Sequence, residues 1–148
     1  MIDELEIFID GASSGNPGEA SVGVVIQEDK KCLKEISRAI GHATNNVAEY
    51  QALIVALKEA QALEGKRLKI FTDSELLYRQ VTGRYKVKNE NLKLLFDEAQ
   101  GLAKTFEEIK IDHIPREKNQ EADRLANQAL KKQAKMVTSM SIAFKPMK

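Results

Sequence analysis

The chain has 148 residues, with 23 Lys plus Arg against 22 Asp plus Glu, and 43% of its residues are hydrophobic; that is one domain's worth of polypeptide, able to bury a core without disulfides. Its single cysteine, Cys32, excludes an intrachain disulfide, a thiolate zinc site and a Cys-X-X-Cys redox pair. The longest stretch free of Asp, Glu, Lys and Arg is the ten residues Ala39–Ala48, where a membrane span needs about 18 apolar residues, so no membrane helix is expected.

The N-terminus MIDELEIFID is acidic and runs straight into strand-like alternation, the wrong charge and shape for a secretory or transit peptide, which points to cytoplasmic residence. Leu5, Ile7 and Ile9 alternate toward Asp10, and the turn-rich GASSGNPG that follows reads as a loop. Ala20–Gln27 and Cys32–Gly41 flank the charged turn Glu28-Asp29-Lys30-Lys31, giving two more antiparallel strands. From Asn46 to about Leu63, apolar residues recur at helical spacing until Gly65 stops the run. Leu68–Thr72 is a short buried strand, and Asp73-Ser74-Glu75 opens a helix with Leu76, Leu77 and Val81 inward, ended by Gly83. A further helix covers Asn89–Lys104, Phe106–Ile114 is a last strand closed by Pro115, and Asn119–Lys132 is helical.

The order βββαβααβα predicts an α/β fold: a mixed five-stranded sheet, three antiparallel strands then parallel ones, flanked by helices. The catalytic domain is expected to span residues 1–132, with residues 133–148 a basic C-terminal tail of irregular structure. Residues 1–75 carry 8 basic and 13 acidic side chains, and residues 76–148 carry 15 and 9. That polarity suits a polyanionic partner.

Four carboxylates stand out, each with an ordinary alternative. Asp10 could shape a turn, Glu49 could complete a capping box with Asn46, Asp73 could start a helix, and Asp123 could face solvent. Helical geometry argues otherwise for Glu49. At about 100° per residue, Leu53, Ala56, Leu57 and Ala60 lie within roughly 80° of it, so its carboxylate points along the core-facing stripe. A buried carboxylate needs a cation or a partner. Asp123 sits at the edge of the stripe Ala122, Leu125, Ala126 and Ala129. Asp10 and Asp73 end strands expected to be parallel neighbours, at the carboxyl edge where open α/β sheets bind ligands. Acids converging without lysine call for hard cations, and all-oxygen donors select Mg²⁺ or Mn²⁺.

The segments IFIDGASSGNPG, TNNVAEYQAL, FTDSELL and REKNQEADRLANQAL, in that order, resemble the four signature blocks of type 1 ribonuclease H. The resemblance implies that Asp10, Glu49, Asp73 and Asp123 are catalytic residues and metal ligands for two Mg²⁺ ions per site, with Mn²⁺ as a substitute and Asp10 touching both ions. It implies hydrolysis of the RNA strand of an RNA/DNA hybrid to a 5′-phosphate and a 3′-hydroxyl; a monomer is expected. Two ions about 3.5 to 4 Å apart can activate a water and stabilise the leaving oxygen, so no Ser or Cys nucleophile is required.

Gly11, Ser13, Asn16, Asn45 and Asn46 are short polar or backbone groups suited to the wide minor groove of a hybrid, although each could simply make turns. Thr44 resembles the family's phosphate-contacting threonine. The chain departs from the family pattern in three places. Gly83–Lys88 (GRYKVK) is too short for a basic handle, and Glu75 stands where a groove-reading glutamine is common. The loop before Asp123 has no clear counterpart of the family's mobile histidine. His113 shares the strand parity of Ile109 and Ile111 and is expected to pack against a helix, leaving Arg116 as the loop substitute.

The alternative reading is a catalytically weak or inactive ribonuclease H-like domain that binds hybrid or structured RNA; the presence of all four acids argues against it. An exonuclease on the same architecture would need Asp-X-Glu on the first strand, and a dehalogenase-like phosphatase Asp-X-Asp. Asp10-Gly11-Ala12 fits neither.

Overall fold

A computed structural model describes the backbone of residues 2–143 and the side chains of residues 2–132. Strands β1 (Ile2–Ser13), β2 (Gly18–Glu28), β3 (Lys31–Ala43), β4 (Gly65–Thr72) and β5 (Glu108–His113) form one sheet in the order β3-β2-β1-β4-β5. The first three are antiparallel, and β1–β4 and β4–β5 are parallel. Helices α1 (Asn45–Ala62), α2 (Glu75–Val81), α3 (Glu90–Ala103) and α4 (Gln120–Ala143) complete it, with a 3₁₀ turn at Arg116–Lys118. This is the mixed five-stranded architecture expected from the sequence. No helix among the described residues is long and apolar enough to cross a membrane.

The strand alternation sorts side chains onto two faces. Leu5, Ile7 and Ile9 of β1, with Val22, Val24 and Ile26 of β2, are almost wholly buried together with Leu53, Ala56, Leu57 and Ala60 of α1. Each fully buried Leu or Ile stabilises the fold by about 1.5 to 3 kcal/mol relative to exposure. Helix α1 is buried on its outer side too, because α3 packs over it.

The opposite face of β1, β2 and β3 is covered by α4, whose contact side is the small-residue stripe Ala122, Ala126 and Ala129 with Leu125. Two serine hydroxyls fasten it: Ser21 Oγ donates to Ala126 O and Ser37 Oγ to Leu125 O, each at 2.5 Å.

Several boundaries differ from the sequence expectation. Strand β1 runs three residues past Asp10, because Gly11, Ala12 and Ser13 continue the ladder opposite Val22, Ser21 and Ala20. The β2–β3 turn is the two residues Asp29 and Lys30, both at positive φ (49° and 68°). The cap of α1 is Thr44, whose hydroxyl accepts from Val47 N at 3.2 Å, so Asn46 and Glu49 form no capping box. Leu76 is only half-buried; the polar residue facing inward is Gln80, whose Oε1 accepts from Tyr50 Oη at 2.5 Å. Finally, the helical backbone of α4 does not stop at Lys132 but continues to Ala143, since no Gly or Pro interrupts it. Much of the expected irregular tail is thus helix, and its last five residues, 144–148, lie outside the described residues.

Candidate active site

The parallel pairing of β1 and β4 ends at Ile9 and Thr72, and the next residue on each strand is an aspartate, Asp10 and Asp73. The sheet therefore delivers two carboxylates side by side at its carboxyl edge. Glycines admit the other two. Gly11 faces α1, and a Cβ there would lie 2.5 Å from Glu49 N and 2.6 Å from Ala48 O. With only hydrogen in that place the first turns of α1 press against β1, and Gly11 N–H donates to the Glu49 carboxylate. Gly23 stands opposite Asp10 on β2 and faces α4, where a Cβ would lie 2.6 Å from Ala126 N and closer still to Ala122 O. That contact sets the first turn of α4, and Asp123 with it, beside Asp10.

One oxygen from each of Asp10, Glu49 and Asp73 lies within 4.8 Å of the others. Asp123 is outside that trio but faces Asp10 closely enough to hydrogen-bond with it. Asp10 is thus the junction between Glu49 with Asp73 on one side and Asp123 on the other. Its carboxyl is pushed up to about 9 by burial and by the charges of Glu49 and Asp73, with Asp123 adding to the rise. Burial lifts Glu49 to about 7, while hydrogen bonds from Gly11, Asp10 and Ser74 pull it back down. Among the described residues no lysine or arginine pairs with the trio, and Arg116 Nη2 is 3.7 Å from Asp123 Oδ1 beside it.

A cluster that holds protons this firmly lacks positive charge. Its donors are all oxygens, so the residues fit a hard divalent cation such as Mg²⁺ or Mn²⁺.

An open cleft of about 440 Å³ runs over these acids, lined by Gly11, Ala12, Ser13, Asn45, Asn46, Glu49, Asp73, Ser74, Arg116, Asp123 and Asn127. It brings together most of the residues singled out from the sequence. Asp10, 6% exposed, lies beneath its floor and is not in its lining, and neither are Asn16 and Thr44. Asn16 Oδ1 instead accepts from Asn45 N at 3.2 Å, and Thr44 caps α1.

His113 departs from expectation. Its ring does lie against a helix, stacked on Tyr78 of α2 at 5.9 Å, but it is exposed and its Nε2 is 3.3 Å from Asp73 O. The ring sits beside the acids, not in the core, because Ile114 N bonding to Thr72 O holds the end of β5 next to the end of β4. Arg116 is 80% exposed and pairs at 3.7 Å with Asp123.

Three residues at the site gave no chemical signal in the sequence. Ser74 caps α2, its Oγ accepting from Leu77 N at 3.2 Å, and helps to lower the neighbouring Glu49 carboxyl. Asn127 Nδ2 donates to Asp123 O at 2.9 Å. Asn119, 1% exposed, donates from Nδ2 to Ile9 O at 2.8 Å and to Asp73 Oδ2 at 3.1 Å. An Asn just before a helix reads as a cap, and nothing local announces partners on two distant strands.

Beyond the cleft, α2 and the segment that follows it carry a basic and aromatic surface. Arg84 lies 5.6 Å from the Tyr78 ring and Arg79 5.3 Å from the Tyr85 ring, while Arg79 Nε also pairs with Glu75 Oε1 at 2.8 Å. A shallow depression of about 390 Å³ is lined there by Leu76, Gln80, Arg84, Tyr85, Lys86 and Lys88, without an acid. Only residues 82–89 connect α2 to α3, which leaves no room for a basic handle.

Comparison with known proteins agrees with this geometry. The family described as reverse transcriptase-like matches residues 8–129. The bifunctional protein Rv2228c of Mycobacterium tuberculosis is 44% identical over 86% of this chain, which spans 35% of that protein's length. Ribonuclease HI of Halobacterium salinarum is 41% identical over 85% of this chain and 64% of its own. The crystal structure of ribonuclease H1 from that archaeon superposes with a TM-score of 0.85, covering 87% of this chain and 98% of that one. LC11 ribonuclease H1, solved in complex with an RNA/DNA hybrid, gives 0.84 at 41% identity over 88% and 99% of the two chains. These likenesses put the domain in the ribonuclease H-like class of folds. Within that class, the chain belongs to the type 1 ribonuclease H family, in a variety without the handle.

Proposed function

We propose that the chain is an endonuclease that hydrolyses the RNA strand of RNA/DNA hybrids, leaving a 5′-phosphate and a 3′-hydroxyl, with Asp10, Glu49, Asp73 and Asp123 as ligands of two divalent ions. The observation that carries this reading is Asp10's position between two acid groupings, Glu49 with Asp73 and Asp123 alone. Such an arrangement supports two neighbouring ions that share one carboxylate. When bound, Mg²⁺ or Mn²⁺ would lower the pKa of a water and offset charge on the phosphodiester.

The chain's own residues do the rest. Glu49, fixed by Gly11 N–H, and Asp73, fixed by Asn119, present preset carboxylate oxygens, so little reorganisation remains when substrate arrives. Ser13, Asn45 and Asn46, with Gly11 and Ala12 beside them, line the cleft wall with the short donors and acceptors that suit a minor groove. Arg116 can hold a phosphate with two N–H groups. The surface of Arg84, Lys86 and Lys88 can follow a backbone of phosphates. The hybrid in the LC11 complex supports the choice of substrate.

The test is cleavage of four end-labelled duplexes (RNA/DNA, RNA/RNA, DNA/DNA and DNA with one embedded ribonucleotide) with and without Mg²⁺. Cutting confined to the RNA strand of the hybrid, and only with metal, is expected. Hybrid binding without cutting would instead assign a binding module.

A further inference from the structure

We propose that Asn119 is a positioning residue that sets the spacing of Asp10, Asp73 and Asp123, and so the metal affinity of the site; this rests on the hydrolase reading above. The amide Nδ2 spends both of its hydrogens at the place where the sheet divides. One goes to Ile9 O, the carbonyl joined directly to Asp10, and the other to Asp73 Oδ2, at 2.8 and 3.1 Å. Asn119 O accepts from Asp123 N at 3.1 Å as the first bond of α4. One residue therefore touches the backbone before Asp10, the side chain of Asp73 and the backbone of Asp123.

Its orientation is not in doubt chemically. Ile9 O and Asp73 Oδ2 are both acceptors, so a flipped amide would set oxygen against oxygen. The cost of this arrangement is visible in the same side chain: Asn119 Oδ1 is buried with no hydrogen-bond partner. A buried unsatisfied acceptor lowers stability. An apolar side chain of the same shape would avoid that loss at the oxygen, so the amide is not explained by packing. What it supplies is a charge-assisted donor that holds one Asp73 oxygen back toward the protein. Asn119 is 1% exposed and both of its amide hydrogens are taken by the protein, so substrate contact is not its role.

The experiment titrates Mn²⁺ into the full chain without nucleic acid, following bound ion by electron paramagnetic resonance. Wild type is compared with Asn119→Leu, Asn119→Ala and, as a stability control, Leu92→Ala in α3, which carries none of the acids. Hybrid cleavage is measured in parallel across Mg²⁺ concentrations. Both Asn119 variants should bind Mn²⁺ about ten- to a hundredfold more weakly. Their kcat should fall at fixed Mg²⁺ and recover with excess Mg²⁺, with KM for hybrid unchanged, while Leu92→Ala melts earlier yet keeps wild-type metal affinity. Wild-type Mn²⁺ affinity in both Asn119 variants, or an equal loss in Leu92→Ala, overturns the positioning role alone. A wild-type chain that binds no Mn²⁺ overturns the hydrolase reading and this inference with it.

Discussion

Gly23 lies directly across the β1–β2 ladder from Asp10, and its missing side chain is the space that the first turn of α4 occupies. Cross-strand partners share a face of the sheet, so the residue opposite Asp10 decides how near Asp123 can come. The atoms a Cβ would meet, Ala122 O and Ala126 N, are backbone, which cannot swing aside as a side chain can. Gly23→Ala is therefore expected to destabilise by about 3 kcal/mol, the upper range for overpacking. Activity should fall beyond what the lost stability explains, because α4 must shift. Urea unfolding alongside cleavage measures both; wild-type activity in a folded Gly23→Ala would show that the approach of α4 to β2 does not set the site.

Asp10→Asn removes the charge at the junction of the two acid groupings while keeping the side chain's shape. Cleavage should be lost to below about a thousandth of wild type, since a shared ligand is involved in holding both ions. The melting temperature without metal should hold or rise, because a neutral amide avoids the cost of burying a carboxyl and of setting it against Glu49 and Asp73. Mg²⁺-dependent cleavage above a tenth of wild type would remove Asp10 from the ligand set.

The raised carboxyls also fix the pH dependence of stability. In the folded, metal-free chain burial raises the Asp10 and Glu49 carboxyls together, Asp10 to about 9 and Glu49 to about 7, against ordinary values of 3.8 and 4.5. Between those limits the native state holds protons that the unfolded chain has released, so stability must fall as pH rises through the window. Bound Mg²⁺ favours the ionised acids, and its stabilising effect must grow with pH. Denaturant unfolding at about pH 5 and pH 8.5, with EDTA or Mg²⁺, checks this. Stability that rises with pH in EDTA would contradict the burial of Asp10 as an uncompensated acid.

Much of this site could be read from residue spacing. The apolar periodicity of α1 already places Glu49 on the buried side, and the strand ends place Asp10 and Asp73 together. The helix cap was harder, because Thr44, Asn45 and Asn46 are all good capping residues and only the backbone decides that Thr44 serves. Likewise Gly11-Ala12-Ser13 has turn composition but strand pairing, since the ladder with β2 is a tertiary matter. Asn119 was out of reach for the same reason: its partners Ile9 and Asp73 are 110 and 46 residues away. His113 has the parity of an inward residue, yet it occupies the last position of an edge strand, where little remains to cover it.

Without a handle, hybrid affinity should depend on scattered cations such as Lys86 and Lys88 beside Tyr85 in the segment after α2. Replacing both lysines with Ala should weaken binding and flatten the plot of log affinity against log salt by roughly 1 to 2, one counterion per lost phosphate contact. Fluorescence anisotropy with an inactive Asp10→Asn background gives the slope. An unchanged slope would take this surface out of the footprint.

Arg116 and His113 flank the acids from two sides, and their variants should separate phosphate holding from proton handling. Arg116 stays protonated, so it cannot act as a base, but its fork can grip a phosphate, a contact worth roughly 1.5 to 3 kcal/mol. Arg116→Ala should lower activity by about ten- to a hundredfold. It should leave the melting temperature nearly unchanged, because a side chain 80% exposed with one 3.7 Å ion pair contributes little to folding. His113 is exposed and stacks on Tyr78, with Nε2 next to the Asp73 carbonyl, so His113→Ala should also melt close to wild type. Its expected loss of activity is smaller, within about threefold, since its polar contact is to backbone and not to a carboxylate oxygen. Turnover measured across pH for both variants decides between them. If His113→Ala loses more activity than Arg116→Ala, and only His113→Ala changes the shape of the pH profile, His113 moves protons at this site and Arg116 is only a neighbour of Asp123.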